Sequence, residues 1–292
     1  MAKTLYISDL DGTLLLPEAC LSPFTAETIR RLVGEGMLFS YATARSFNTA
    51  GKVTSALGKI HLPVIVYNGE AIADAADGTI LDAVYFTPEE TSFLRTVFGR
   101  AGLRPMVYSR AAADTASERV AYLPENPSRG LQDYLASRKG DRRLCAVTPE
   151  TLYGGHAFYV TAIEDDAKRC EAPYREVLQD GRFNALLQKD VYSDTYYFEV
   201  MPKAASKANA VQRLASLYGC GRIVCFGDGD NDRSMFRIAD ESYAVANAAE
   251  SLKAEATAVI GSNREDGVAK RLLELAKRSN EHINFAPHVS DV

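Results

Sequence analysis

The chain has no uninterrupted run of about 18 or more apolar residues, so it contains no candidate transmembrane helix. No secretory leader is expected from the opening MAKTLYISDLDG, which aspartates break before any long apolar stretch develops. No Cys-x-x-Cys pair occurs. The five cysteines, Cys20, Cys145, Cys170, Cys220 and Cys225, are scattered. An odd, unclustered set without an export signal reads as free thiols in a reducing, cytoplasmic compartment. Lysine-rich and arginine-rich tracts are missing, and the net charge of −5 argues against a general nucleic-acid binder and offers nothing to a membrane surface. Repeats and low-complexity segments are absent too. What remains is ordinary globular protein, 47% hydrophobic and 24% charged, whose 292 residues suggest about two domains.

The first third alternates in type. Strand candidates at Thr4–Ser8, Met37–Ala42 and Pro63–Gly69 are separated by helix candidates at Thr25–Gly34 and Ser46–Leu57. The last third repeats this pattern. Helices near Ala205–Tyr218, Asp232–Ala239, Glu250–Ala256 and Asp266–Lys277 alternate with the strands RIVCFGDGD, SYAVAN and TAVI. Apolar strands alternating with helices imply an α/β fold with a Rossmann-like parallel sheet. The middle, near neutral in charge, mixes long helices with alternating strands such as His156–Ile163 and Arg182–Gln188. The simplest organisation is a core from residues 1–82 plus 191–292, with an α+β cap inserted at 83–190. Short linkers near Leu81–Phe86 and Lys189–Thr195 would be its hinges. The polar, aperiodic end from Ser279 to Val292 reads as a frayed tail.

Ligands of open parallel sheets bind at the carboxyl ends of strands, and these strand ends are polar. The first ends in Asp9 and Asp11, the second in Thr43, Arg45 and Ser46, the third in Asn68 and Gly69. The late strand ends in Asp228, Asp230, Asn231 and Asp232. Each cluster also has a plain reading: an aspartate, threonine or serine caps the next helix, and Asn-Gly makes a tight turn. Asp9 and Asp11 resist that reading, because no helix is expected directly after them. A buried carboxylate pair costs several kcal/mol, roughly, unless paired or metal-bound. An EF-hand fails on DGDNDR, since Arg233 and Ala239 stand where that loop needs Gly and Glu. Lys207 completes the set. It shares a helical stripe with Val211, Leu214 and Tyr218, so it points inward near a helix start, where positive charge is disfavoured without an anion opposite. Lys203, Arg45 and Arg233 read as ordinary surface charges.

DLDGTL at Asp9–Leu14, ATAR at Ala42–Arg45, Lys207, and GDGDND at Gly227–Asp232 resemble the four motifs of the haloacid dehalogenase-like hydrolases. Their spacing and the inserted middle are similar to the Cof-type sugar-phosphatase branch, as are YNGEAI, AVANA and SNREDGVAKRL. Ala44 departs from that branch, which usually has glycine there. The resemblance implies a phosphatase of small phosphomonoesters, sugar phosphates foremost, through an aspartyl phosphate on Asp9. Asp11 would be the general acid and then base, a role that needs its proton retained when substrate binds. Mg²⁺ would be held by Asp9, the Asp11 backbone carbonyl and Asp228, with Asp232, Gly12 and Arg45 in support. Thr43, Ala44, Lys207 and Asn231 would hold the phosphoryl group. The cap would close as a lid and contact the leaving group. Arg119, Tyr122, Arg129, His156 and Tyr159 are open candidates for that contact, and ordinary surface or cap-core placement is the alternative for each. The implied partner is a small phosphorylated metabolite, with oligomeric state left open. A phosphomutase of the same superfamily and a phosphate-ligand sensor are the competing readings.

Overall fold

A computed structural model of the chain describes residues 2–58, 60–111, 114–125, 128–190 and 193–284. In chain order the elements begin with β1 (Lys3–Ser8), α1 (Pro23–Gly34), β2 (Leu38–Tyr41), α2 (Phe47–Thr54), β3 (Val64–Val66), β4 (Ala71–Ala73) and β5 (Ile80–Ala83). The middle holds α3 (Pro88–Arg100), β6 (Met106–Ala111), β7 (Asp114–Tyr122), α4 (Arg129–Ser137), β8 (Leu144–Ala146), β9 (His156–Glu164), α5 (Lys168–Asp180), β10 (Phe183–Lys189) and β11 (Tyr196–Pro202). The last part holds α6 (Lys207–Leu217), β12 (Cys220–Gly227), α7 (Arg233–Phe236), β13 (Glu241–Val245), α8 (Glu250–Lys253), β14 (Ala258–Ile260) and α9 (Gly267–Asn284). Among the described residues no helix is long and apolar enough to cross a membrane.

The chain divides into two compact units, residues 1–81 with 206–292, and residues 82–205. The second boundary therefore falls after Ala205 and not after Asp190. The reason is strand pairing. β11 pairs antiparallel with both β9 and β10, which ties residues 196–202 to the inserted sheet. The amide of Asn184 then donates to the carbonyls of Lys203 and Ala205, at 3.2 and 2.9 Å. The expected hinge at Lys189–Thr195 is instead the connection of a hairpin, since Lys189 pairs with Tyr196. Its residues Val191 and Tyr192 lie outside the described residues.

In the outer unit, a five-stranded sheet runs in the order β14-β13-β12-β1-β2, all pairs parallel. β1 is an interior strand between β12 and β2, and its Leu5 and Ile7 are fully buried, as a strand covered on both faces must be. The helices start where the sequence offers caps. The Ser22 hydroxyl accepts from Thr25 N–H before Pro23 opens α1, and Ser46 accepts from Thr49 N–H ahead of α2. The third expected strand does not join this sheet. β3 meets the second strand's end through one parallel bridge, Ala42 to Ile65, and then belongs to an antiparallel sheet β3-β4-β5. Tyr67, Asn68 and Gly69 all have positive φ, at 49°, 54° and 95°, so the chain reverses after three strand residues and β4 pairs back along β3. At the other end α9 continues to Asn284, past the expected stop at Lys277; the rest of the expected frayed tail, from Phe285, lies outside the described residues.

The inserted unit is a six-stranded sheet, β10-β11-β9-β6-β7-β8. Val107, Val160, Ala162, Phe198 and Val200 line one face and form a core with Leu94, Val97 and Phe98 of α3 and Cys170 and Val177 of α5. Its helix α3 opens on a capping box between Thr87 and Glu90, with Pro88 at the first helical position. α4 lies on the opposite face, where Gly130 packs so tightly that a Cβ would meet Ile163 and Thr195.

Gly69 sets how closely the β3 turn approaches the start of α6. A Cβ on Gly69 would sit 2.1 Å from the Ser206 carbonyl oxygen, and its φ disfavours any L side chain. Gly69→Ala is expected to cost at least about 2 kcal/mol of stability, from strain and backbone collision together. Gly36, also at positive φ but with open space around it, isolates the strain: Gly36→Ala is expected to cost only about 1 kcal/mol. Denaturant melts of the two variants check the difference, and equal losses would remove the collision from the account.

Candidate active site

Four chain segments of the outer unit converge here. β1 delivers Asp9, which is 5% exposed and whose N–H donates to the Phe226 carbonyl of neighbouring β12. The chain then makes a wide turn over Leu10–Leu14, closed by Leu15 N–H donating to the Leu10 carbonyl at 2.9 Å. This is the helical turn not expected after Asp9. It is irregular, with Asp11 at ψ 123° and Gly12 at φ 79°. Only glycine fits at position 12, because a Cβ would lie 2.2 Å from an Asp228 carboxylate oxygen. The turn thus brings the loop after Asp9 against the loop after β12.

Lys207 opens α6 and is 1% exposed. Its ammonium donates to Asp9 Oδ1 at 2.5 Å and to Asp232 Oδ1 at 2.7 Å. Burial alone would lower this lysine, but the Asp9 and Asp232 carboxylates more than offset that and hold it above its ordinary value, so it is charged. For Asp9 the opposing influences leave burial ahead. Its carboxyl is pushed up to about 7 by desolvation, with Lys207 pulling it down and Asp232 and Asp228 adding to the rise. Asp232, fully buried, is saturated: its other oxygen accepts from the backbone N–H groups of Asp228 and Gly229 at 2.9 and 3.1 Å. Asp228 accepts from the Thr13 hydroxyl at 2.9 Å and is raised chiefly by burial.

Oxygen atoms of Asp9, Asp228 and Asp232 lie within 4.8 Å of one another, a grouping that could hold a metal ion. The donor set fits a hard divalent cation. Three carboxylates face one ammonium, and the oxygens of Asp9 and Asp228 not used above accept no other hydrogen bond among the described residues. The Asp11 carboxylate is outside this group. It is about half exposed and sits in a two-pronged fork with Arg45, at 2.7 and 2.6 Å. Arg45 is therefore a partner of the second aspartate and not an ordinary surface charge. Thr43 is fully buried, and its hydroxyl accepts from Arg45 N–H at 3.1 Å. Ala44 is exposed beside it. Asn231 is exposed and its amide reaches Asn68 Oδ1 at 3.4 Å. The cap candidates belong to the inserted unit: Arg119 donates to the Thr151 carbonyl, His156 stacks against Tyr85, the Arg129 backbone donates to Asp165, and Tyr159 donates to Glu199. Arg233 pairs with Glu255.

Side chains outside the four motifs brace the site. Asn247 donates its amide to the Gly12 carbonyl at 2.7 Å and accepts from Asn263 N–H at 3.0 Å. The Asn263 amide in turn donates to the Leu15 carbonyl at 2.8 Å. The middle and the far end of the Asp9–Leu15 loop are thereby fixed to the loops after β13 and β14. Thr13 stands inside DLDGTL, and the two asparagines carry no chemical signature in sequence beyond their place in AVANA and SNREDGVAKRL. Removing the buried cation has a definite consequence. Lys207→Met is expected to destabilise the fold by about 3–5 kcal/mol, because Asp9 and Asp232 are left buried without a counter-charge. Urea melts at neutral pH measure this, and a loss under about 1 kcal/mol would mean that the carboxylates find water or another cation.

Comparison with known proteins agrees with this geometry. The family profile of the haloacid dehalogenase-like hydrolases matches residues 6–272. A 5-amino-6-(5-phospho-D-ribitylamino)uracil phosphatase of Bacillus subtilis is 26% identical over 288 residues, covering 89% of this chain and 94% of its own. An HMP-PP phosphatase of Yersinia enterocolitica is 24% identical, covering 96% of this chain and 97% of its own. Among solved structures, a haloacid dehalogenase-like hydrolase from Bacteroides thetaiotaomicron shares the fold with a TM-score of 0.72 and 20% identity, over 94% of this chain and all of that one. The chain belongs to the haloacid dehalogenase-like hydrolases.

Proposed function

We propose that this hydrolase is a Mg²⁺-dependent phosphatase of small phosphomonoesters, sugar phosphates or related metabolites, acting through an aspartyl phosphate on Asp9. The observation that carries this reading is the buried Lys207 ammonium clamped between Asp9 and Asp232, with Asp228 beside them. A carboxylate held in this way presents one oxygen at a fixed place, and an incoming phosphoryl group meets positive charge beside it. The relatives named as phosphatases support the reaction class.

Bound Mg²⁺ would be held by Asp9, Asp228 and the Asp11 carbonyl, and supplies neutralisation of the phosphoryl charge. The chain's own residues do the rest. An Asp9 oxygen forms a bond to phosphorus as the bond from phosphorus to the alcohol oxygen breaks. Asp11 gives that oxygen its proton, then takes a proton from the water that attacks phosphorus, and the acyl phosphate splits to free Asp9 and inorganic phosphate. Lys207 balances the charge of Asp9 and of the phosphoryl oxygens, while Thr43, Ala44 and Asn231 orient those oxygens. Asp232 keeps Lys207 in place. Arg45 must release Asp11 before the proton can move, and a phosphoryl dianion is a competing partner for a guanidinium.

Phosphate release should be measured on sugar phosphates and p-nitrophenyl phosphate. Activity should vanish in EDTA and return with Mg²⁺, and Asp9→Asn should lose at least about a thousandfold in kcat. Turnover that survives in Asp9→Asn contradicts the reading. Asn247→Asp, which keeps the contact with Asn263 but loses the donor to Gly12, should lower kcat/KM by about ten- to a hundredfold with little change in melting temperature. An unchanged rate would make the asparagine brace irrelevant to catalysis.

A further inference from the structure

The inserted unit carries a second group of polar side chains that the Asp9 site does not use. In β9, Val160 and Ala162 face the core with α3 and α5, so Tyr159, Thr161 and Ile163 face the other way. In β11, Phe198 and Val200 face that core, which turns Glu199 to the same opposite face. Strand register then sets neighbours. Glu199 pairs directly with Thr161, and Tyr159 with Tyr108 of β6. The Tyr159 hydroxyl donates to a Glu199 carboxylate oxygen. The Tyr108 ring meets Tyr159 edge-on at 5.0 Å, and the Tyr108 hydroxyl lies 3.3 Å from that of Tyr134 in α4.

Two features of this group do not fit a face that is merely packed. Thr161 is 2% exposed, and its hydroxyl has no hydrogen-bond partner among the described residues. One strand away, burial pushes the Glu199 carboxyl above its usual range, eased by the Tyr159 hydroxyl, and among the described residues no cation acts on it. The arginines near this face are engaged with rings: Arg110 lies over Phe158 at 4.1 Å and Arg138 over Tyr134 at 5.2 Å. A desolvated carboxylate without a counter-charge and a buried hydroxyl without a partner are each unfavourable alone. Here they are cross-strand neighbours, so one ligand can satisfy both.

The chemistry of the group selects the ligand. An anion would be repelled by Glu199. A neutral polyol would satisfy the hydroxyls and leave the carboxylate uncompensated. An alkylammonium donates to the carboxylate and to the threonine oxygen, supplies the missing charge, and is favoured beside tyrosine rings. We propose that Glu199, Thr161, Tyr159 and Tyr108 form a binding site for the ammonium group of a small amine. The proposal uses no residue of the Asp9 site and stands whether or not the phosphatase reading holds.

The test is titration calorimetry of the full-length chain at pH 6.5 with glucosamine and with glucose, two probes that differ by an ammonium in place of a hydroxyl. Glucosamine should bind at least about tenfold more tightly. Glu199→Gln, with a melt confirming that it folds, should abolish that preference. Thr161→Val, close in shape and lacking the hydroxyl, should weaken glucosamine severalfold with no loss of stability, and it serves as the probe if Glu199→Gln does not fold. Equal affinity for the two sugars, no detectable binding of glucosamine, or a preference that persists in Glu199→Gln would overturn the proposal. So would unchanged glucosamine affinity in Thr161→Val.

Discussion

One buried ammonium organises the outer unit's polar centre. Lys207 sits at the first position of α6, where the helix itself disfavours positive charge, and almost none of it reaches solvent. Its place is tolerable only because Asp9 and Asp232 each give it an oxygen. The dependence is mutual. Asp9 at the end of β1 and Asp232 beyond the neighbouring strand β12 are buried carboxylates that need a cation between them. The segments that meet here are separated by most of the chain, so the ion cluster links the two ends of the sequence that build this unit.

Holding those segments close enough requires backbone, not only charge. Gly12 lets the loop after Asp9 touch Asp228, and Gly69 lets the β3 turn press on the Ser206 carbonyl just before Lys207. Asn247 and Asn263 then hold that same loop by its carbonyls. The result leaves little freedom to Asp9, while Asp11, half exposed in its fork with Arg45, remains a group that can change partners. The proposed two-step transfer calls for a fixed nucleophile and a movable proton carrier, the roles it gives to Asp9 and Asp11.

Much of this was legible in the chain itself. The inward stripe of Lys207, Val211 and Leu214 announced a buried lysine, and the doubled aspartates at a strand end announced that something must compensate them. What sequence could not supply was partner choice. Arg45 reads as surface charge until the fold brings it to Asp11, because nothing local to either residue specifies the other. The β3 turn misled for a related reason: Tyr67 at positive φ is a conformation that tertiary packing imposes on a residue with no preference for it. The inserted unit's end was misplaced because a polar stretch at 189–195 resembles a linker, and only the pairing of β11 with β10 shows it to be a hairpin. The Glu199 group was invisible for the same reason, since one strand carries the carboxylate and another the threonine.

The central claim is that Asp9, the carboxylate steadied by Lys207, becomes the nucleophile. Its most direct test is chemical trapping. The protein is mixed with Mg²⁺ and a turned-over phosphomonoester, quenched in acid, reduced with borohydride and mapped by mass spectrometry, because reduction converts an acyl phosphate into an alcohol. The account predicts homoserine at position 9 and nowhere else. Homoserine at Asp11 or Asp228, or steady phosphate release with position 9 unmodified, would contradict it.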